Sequence, residues 1–318
     1  MAKNVATPRS FSRCQAAREL LELAGHEVII ENRGRPLTAP ELIEVLKSKD
    51  VSALIAGVDE INDEVIAQGA PALKIIARNG VGYNQVDVEA AKRHGVRVTI
   101  APGANSLAVG EMAVALILEL ARRVGAMDSL VRQGKWARLS GCELSGKTLG
   151  LIGAGHIGAI VASRAKAFGM RVLIFDVNPN PDLVEWYGVE YVDFDTVVQE
   201  ADYLSLHLPL MESTKGIISR SVLESMKKGA CLINTARGEL VDEDALYDVL
   251  RDCHLRGAAL DVFAQEPFGD KRFMNLDNVI MTPHAGAYTD EATERTLLMV
   301  AEDVLHVLRG EEPEHMVV

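Results

Sequence analysis

KTLGLIGAGHIGAIVASRAKAFGMRVLIFD, residues 147–176, decides the fold. An apolar run at 149–152 leads into Gly153, Gly155 and Gly158, an Ala-rich helical pattern follows, and a second apolar run at 172–175 is closed by Asp176. The order is strand, glycine turn, helix, strand, acid. Gly153 permits a tight strand-to-helix reversal, Gly155 removes a side chain from the path of a pyrophosphate, and Gly158 lets the helix pack close to the strand. His156 and Ile157 stand inside the turn, where unpaired N–H groups and the helix dipole favour an anion.

Asp176 lies 18 residues past Gly158. A carboxylate there accepts the ribose hydroxyls of an adenosine and repels a 2′-phosphate. No Arg or Lys follows in Val177, Asn178 and Pro179, so the pattern favours NAD over NADP. The glycines alone would also suit a structural turn, or a ligand such as S-adenosylmethionine. Two flanking strands and an acid at this distance favour the dinucleotide.

Working outward, 318 residues suit two domains rather than one core. A net charge of −12 argues against nucleic acid or an anionic membrane as the main partner. Cys14, Cys142, Cys231 and Cys253 have neither metal nor redox spacing, and no His, Asp and Cys cluster has ligand spacing, so no metal is expected. No apolar stretch suits a signal peptide or a bilayer span, which points to a cytoplasmic protein.

The first hundred residues alternate short strands with helices, one of them opened by a capping-box pattern at Thr38-Ala39-Pro40-Glu41. Pro102-Gly103 marks a boundary, giving domains at 1–101 and 102–288. A helix at 106–123 carries apolar residues all round and must be buried, either between domains or between subunits. Gly134-Lys135-Trp136 and a loop to Ser145 precede the dinucleotide unit. After Asp176 six or more parallel strands complete a doubly wound sheet, a last helix spans 289–309, and the tail 311–318 reads as mobile.

Ligands of such sheets lie at the carboxyl ends of the strands. Three loops there carry chemistry. Asn234-Thr235-Ala236-Arg237-Gly238 places an Arg just past a buried strand, where its planar fork can hold a carboxylate or a carbonyl. Pairing with a neighbouring surface acid is the bland reading. Glu266 and His284 each follow a strand, and together form an acid/base in which the carboxylate orients the ring and favours its charged form. A loop histidine held by hydrogen bonds is the alternative for His284. His207, at the end of another strand, has no acid following it and is a weaker candidate.

Six motifs in order carry a resemblance: Asn79-Gly80-Val81-Gly82, the glycine turn with Asp176, Leu206-His207-Leu208-Pro209, the Arg237 loop, Asp261-Val262-Phe263 with Glu266-Pro267, and Thr282-Pro283-His284. The chain resembles the D-2-hydroxyacid dehydrogenase superfamily over nearly its whole length, nearest its 3-phosphoglycerate dehydrogenase branch. The resemblance implies a flavodoxin-like α/β substrate domain, completed by residues 289–318, into which a Rossmann NAD domain is inserted. It implies a homodimer through the 106–123 region.

It also implies roles. Arg237 would bind and polarise the substrate, His284 would be the acid/base and Glu266 would tune it. Arg78, Asn79, Val81 and Gly82 would bind the substrate. Leu208, Pro209, Thr235, Ala236, Asp261 and Gly286 would join the glycine turn in holding NAD, with Asp261 at the nicotinamide carboxamide. Arg78 matches a phosphate-binding Arg of the phosphoglycerate enzymes, but Ala56-Gly57-Val58 stands where a second is expected. The candidate substrates are therefore 3-phosphoglycerate, glyoxylate and hydroxypyruvate. A binding protein of another class, an NAD(H)-sensing corepressor, would need partner grooves or tails, for which the short termini supply little.

Overall fold

The structure, a computed structural model, describes residues 1–318. It divides into two α/β units: residues 1–105 with 288–318, and residues 106–287.

In the first unit five parallel strands, β1 (Lys3–Ala6), β2 (Glu27–Ile30), β3 (Ala53–Ala56), β4 (Ile75–Arg78) and β5 (Arg97–Thr99), lie in the flavodoxin-like order β2-β1-β3-β4-β5. Alternate residues feed opposite faces. Leu54, Ile76 and Val98 share one core with the helices Ala39–Lys49, Asp63–Gly69 and Val88–His94, whereas Ile55, Ile75 and Ala77 share the other with the C-terminal helix Asp290–Leu308. That helix buries Leu297, Val300, Ala301 and Val304, a single face at helical spacing. Burial of the Leu and two Val side chains contributes about 2 kcal/mol each, more than the few tenths that β-branched residues cost a helix. The tail differs from the expectation. It docks on β5, with Val98 N–H donating to Val318 O at 2.8 Å and Val317 N–H donating to Val98 O at 2.7 Å. An edge strand leaves backbone groups unpaired, and the tail satisfies them.

In the second unit seven parallel strands, β6 (Thr148–Ile152), β7 (Arg171–Phe175), β8 (Glu190–Tyr191), β9 (Tyr203–Leu206), β10 (Cys231–Asn234), β11 (Gly257–Leu260) and β12 (Val279–Met281), form the order β12-β11-β10-β9-β6-β7-β8. Both faces are buried, as continuous apolar strands require. Chain order reverses between β6 and β9, which makes the carboxyl ends of these two strands the switch point where such sheets bind ligands. The helix Ser106–Arg122 buries one face, including Ala113, Leu116 and Ile117, and leaves Leu107 exposed. It is thus not enclosed on every side by its own unit. Gly110 lets it cross the helix His156–Ala167 closely, since an added Cβ would lie 2.4 Å from Ile160 Cγ2. A further helix, Val124–Arg132, follows, with no buried residue.

Candidate active site

The glycine turn is built as its composition demands. Gly153 has φ +93°, and an added Cβ would lie 2.6 Å from His207 O; at Gly158 it would lie 2.3 Å from Gly153 O. A side chain at either would push β6, the helix and β9 apart. At Gly155 an added Cβ meets nothing within 4 Å, so the open side of the turn faces outward there. The N–H groups of Gly155, His156 and Ile157 donate to no protein acceptor, and His156 is exposed. Four such donors are normal at a helix start, and they are a ready anion site.

Asp176 ties β7 to this turn. Its Oδ2 accepts from Ala154 N–H at 2.6 Å and its Oδ1 from Asn178 N–H at 2.8 Å. Each oxygen keeps a second acceptor direction for a ribose hydroxyl.

Two buried polar atoms on the neighbouring strand ends lack partners, Thr235 Oγ1 after β10 and His207 Nδ1 after β9. Orphaned groups of this kind are costly unless a ligand satisfies them. His207 Nε2 lies 2.9 Å from Ser205 Oγ, and burial pushes the ring's pKa down to about 4. At neutral pH this histidine is uncharged. Leu208 and Pro209 continue the chain from it at the rim of the turn, with Leu208 N 3.1 Å from the position of an added Gly153 Cβ. The outward Gly155, the free N–H groups, Asp176 and the orphaned hydroxyl fit a dinucleotide.

The Arg237 loop is stapled by Asn234, whose Oδ1 accepts from Ala236 N–H at 3.0 Å and whose Nδ2 donates to Arg237 O at 2.8 Å. Arg237 is half-buried and has no acidic partner; its Nη1 donates to Ala236 O at 2.7 Å. A pairing with a surface acid is therefore not what holds it. Gly238 presses this loop against the next one, because an added Cβ would lie 1.9 Å from the carbonyl carbon of Phe263. From there the connection runs to Glu266, whose Oε1 accepts from Phe263 N–H at 3.1 Å and whose Oε2 lies 2.8 Å from His284 Nδ1. The structure thus links the Arg237, Glu266 and His284 loops in one unit.

His284 itself has φ +51°, a left-handed backbone that a non-glycine residue adopts only when its surroundings require it. The cause is Asp261. Its buried carboxylate accepts from Thr282 Oγ1 at 2.6 Å, Ala285 N–H at 2.8 Å and Gly286 N–H at 2.8 Å, winding the 282–286 turn around itself. Asp261, expected at a cofactor amide, also organises this turn, and its Oδ2, which accepts one of the three donors, keeps a second acceptor direction. Gly286 is required there because a Cβ would lie 2.9 Å from Asp261 Oδ2.

Sequence reasoning did not single out Gly238 as a contact between loops, the organising part of Asp261, or Glu243. Glu243 Oε1 accepts from Ala264 N–H at 2.8 Å, and burial, its largest influence, pushes the carboxyl up. A glycine directly after the candidate Arg was the one available signal.

In the smaller unit, Arg78 ends β4 almost fully buried, and its Nη1 donates to Ala56 O and Asn79 O, both at 3.2 Å. Asn79 Nδ2 donates to Ser10 Oγ at 3.3 Å. The N–H groups of Val81 and Gly82 donate to no protein acceptor. At the end of β3 the Gly57 loop wraps a buried carboxylate, with Asp59 accepting from Leu37 N–H at 2.7 Å and Gly57 N–H at 3.0 Å.

A surface depression of about 540 Å³ is lined by Lys228, Leu250, Cys253, Arg256 and Asn278 and contains none of these residues. No cluster of His, Cys, Asp and Glu is arranged to hold a metal, and no helix is long and apolar enough to cross a membrane.

Residues 114–286 match the family model described as D-isomer specific 2-hydroxyacid dehydrogenase, NAD binding domain. The chain is 44% identical over 284 residues to a D-3-phosphoglycerate dehydrogenase of Methanocaldococcus jannaschii, covering 88% of this chain but only 54% of that protein. It is 39% identical over 291 residues to a glyoxylate reductase of Thermococcus litoralis, covering 89% of this chain and 88% of that one. A D-lactate dehydrogenase of Lactobacillus jensenii, solved with NAD+, superposes with a TM-score of 0.82 at 32% identity, covering 99% of both chains. The glycine turn, its acid and the linked Arg, Glu and His loops thus lie in a sequence and fold shared with these proteins, and the chain belongs to the D-isomer specific 2-hydroxyacid dehydrogenase family, which binds NAD.

Proposed function

We propose that the protein reduces a small unphosphorylated 2-oxo acid, of the glyoxylate or hydroxypyruvate kind, to the D-2-hydroxy acid. The observation that carries the reaction is the His284–Glu266 pair at 2.8 Å, joined through Gly238 to an Arg with no acidic partner. Bound NADH supplies the hydride. Glu266 takes His284 Nδ1–H, which leaves Nε2 as the nitrogen that gives a proton to the carbonyl oxygen and takes it back in the reverse direction. Arg237 holds the carboxylate and polarises the carbonyl, with a grip that tightens as negative charge grows on oxygen. In the smaller unit the unpaired N–H groups of Val81 and Gly82 are suited to a carboxylate.

Preference for an unphosphorylated acid rests on Asp59 and Arg78. The loop at Ala56-Gly57-Val58 offers no cation and encloses a carboxylate, and Arg78 is turned onto the Ala56 and Asn79 carbonyls. A phosphate dianion would meet the first as a like charge and find the second engaged.

We also infer a homodimer through the Ser106–Arg122 helix and its continuation. Val124, Val131 and Trp136 are 59%, 49% and 86% exposed on a segment without a buried helical residue, which supports an apolar partner surface. The four free cysteines support a reducing compartment such as the cytoplasm.

A panel of 2-oxo acids with NADH, followed by absorbance, tests the reading. Glyoxylate or hydroxypyruvate should exceed 3-phosphohydroxypyruvate in kcat/KM by about tenfold or more, the scale of one lost charge-assisted contact. Preference for the phosphorylated acid would overturn the substrate assignment, and absence of turnover with every acid would overturn the reaction.

A further inference from the structure

The amino edge of the larger sheet, opposite the glycine turn, carries a second group of reactive side chains. Tyr203 and Cys231 open β9 and β10 as register partners, Arg256 immediately precedes β11, and Cys142 lies in the segment leading to β6. One guanidinium gathers them. Arg256 Nη1 lies 3.0 Å from Cys142 Sγ, and Nη2 lies 2.7 Å from the Tyr203 hydroxyl and 3.3 Å from Cys231 Sγ. The Tyr203 hydroxyl is itself 3.0 Å from Cys142 Sγ. No carboxylate is among the partners of Arg256. A half-buried cation without an acid is most cheaply balanced by ionising the sulfur or oxygen beside it.

The two sulfurs differ in access. Cys231 is fully buried, and Cys142 is partly exposed. Burial raises the Cys142 thiol, but hydrogen bonds from Tyr203 and Arg256 outweigh it and leave the thiol below its ordinary value, whereas burial pushes Cys231 up. The Cys142 backbone is fixed as well. Its N–H donates to Ala121 O at 2.9 Å, and Gly141 packs so closely on the same carbonyl that a Cβ would lie 2.4 Å away.

We propose that Cys142, held between Arg256 and Tyr203, is a modification site for hydroperoxides. The Cys142 thiolate attacks one peroxide oxygen; an S–O bond forms, the O–O bond breaks, and the departing oxygen takes a proton from solvent as water or an alcohol. Sulfur is oxidised by two electrons to the sulfenic acid and the peroxide is reduced by two. Arg256 and Tyr203 donate to the sulfur before attack and to the oxygen it gains. Cys253 is an internal control, exposed and lining the same surface depression as Arg256, but with only the Arg251 carbonyl at 3.9 Å from its sulfur.

The test treats the full-length reduced protein with hydrogen peroxide and dimedone near neutral pH and follows each cysteine by peptide mass spectrometry. Cys142 should gain the adduct at least about threefold faster than Cys253, and Cys231 should stay unlabelled. Arg256→Gln should slow labelling of Cys142 by a similar factor, move its pH midpoint upward and leave Cys253 unchanged. Tyr203→Phe should act in the same direction, which keeps the test available if the first variant fails to fold. Equal or faster labelling of Cys253, or a Cys142 rate unchanged in the folded variants, would overturn the proposal.

Discussion

At the scale of single residues, the chemistry rests on which nitrogen of His284 is free. Glu266 occupies Nδ1, so the proposed acid/base role would fall to Nε2. His284→Ala should lower kcat by about 10²–10⁴-fold and leave the affinity for NADH, measured by fluorescence titration, near that of wild type. Arg237→Ala should lower kcat and raise KM together, because in the proposed reaction the same guanidinium would hold the substrate and the growing charge. Gly238 gives a separate test of how the loops are joined. A methyl there would meet the Phe263 backbone at 1.9 Å, and backbone cannot rotate aside. Gly238→Ala should therefore cost about 1–3 kcal/mol in urea unfolding and reduce activity in whatever fraction folds. Wild-type stability and activity in this variant would mean the two loops are not in contact.

At the scale of elements, the turn after β12 is wound around a side chain supplied by the end of β11. Asp261 takes three donors from residues 282–286, and this holds His284 at its positive φ. Asp261→Ala would strand the buried Gly286 N–H, at about 1–3 kcal/mol for an unsatisfied buried group, together with a half-buried hydroxyl and N–H at Thr282 and Ala285. The expected result is a stability loss of several kcal/mol by chemical unfolding, with Asp261→Asn retaining an acceptor and losing less. Fast amide exchange at Ala285 and Gly286 in the Asn variant would locate the damage in the turn, and unchanged exchange there would count against this account.

At the scale of the molecule, the neutral, half-buried His207, whose Nδ1 is shut off from solvent, makes stability depend on pH. Its folded pKa of about 4 lies below the ordinary 6.5, so the unfolded chain binds the extra proton between those values. Stability from this group is whole above pH 6.5 and is lost as the pH falls through 4. The loss amounts to on the order of 2–3 kcal/mol. Both tryptophans, Trp136 and Trp186, belong to the larger unit, so urea titrations read by Trp fluorescence report on it. The unfolding midpoint should fall between pH 7 and pH 5 in the wild type and fall less in His207→Gln. Equal slopes in the two proteins would remove His207 as the cause.

The order of elements was legible in the chain because it depends on local chemistry. Period-two and period-3.6 patterns, glycines in the turn and an acid 18 residues on are fixed by neighbours in sequence, and they pointed to two parallel sheets and a nucleotide. The helix at 124–132 was not read from the chain although Val124, Met127, Leu130 and Val131 fall at helical spacing, because it is only 9 residues long and follows the Ser106–Arg122 helix directly, with Arg123 at φ +55° between them. The 311–318 tail was not legible as ordered, because its partners on β5 lie about two hundred residues away. Arg237, Glu266 and His284 could be named from the sequence as polar residues at strand ends. Only the tertiary structure decided that Gly238 docks on Phe263, that Glu266 meets His284, and that Asp261 winds the 282–286 turn. Hydrogen bonds and backbone contacts between distant segments carry no mark in either segment alone, and their geometry exists only once the sheet has set the strand ends side by side.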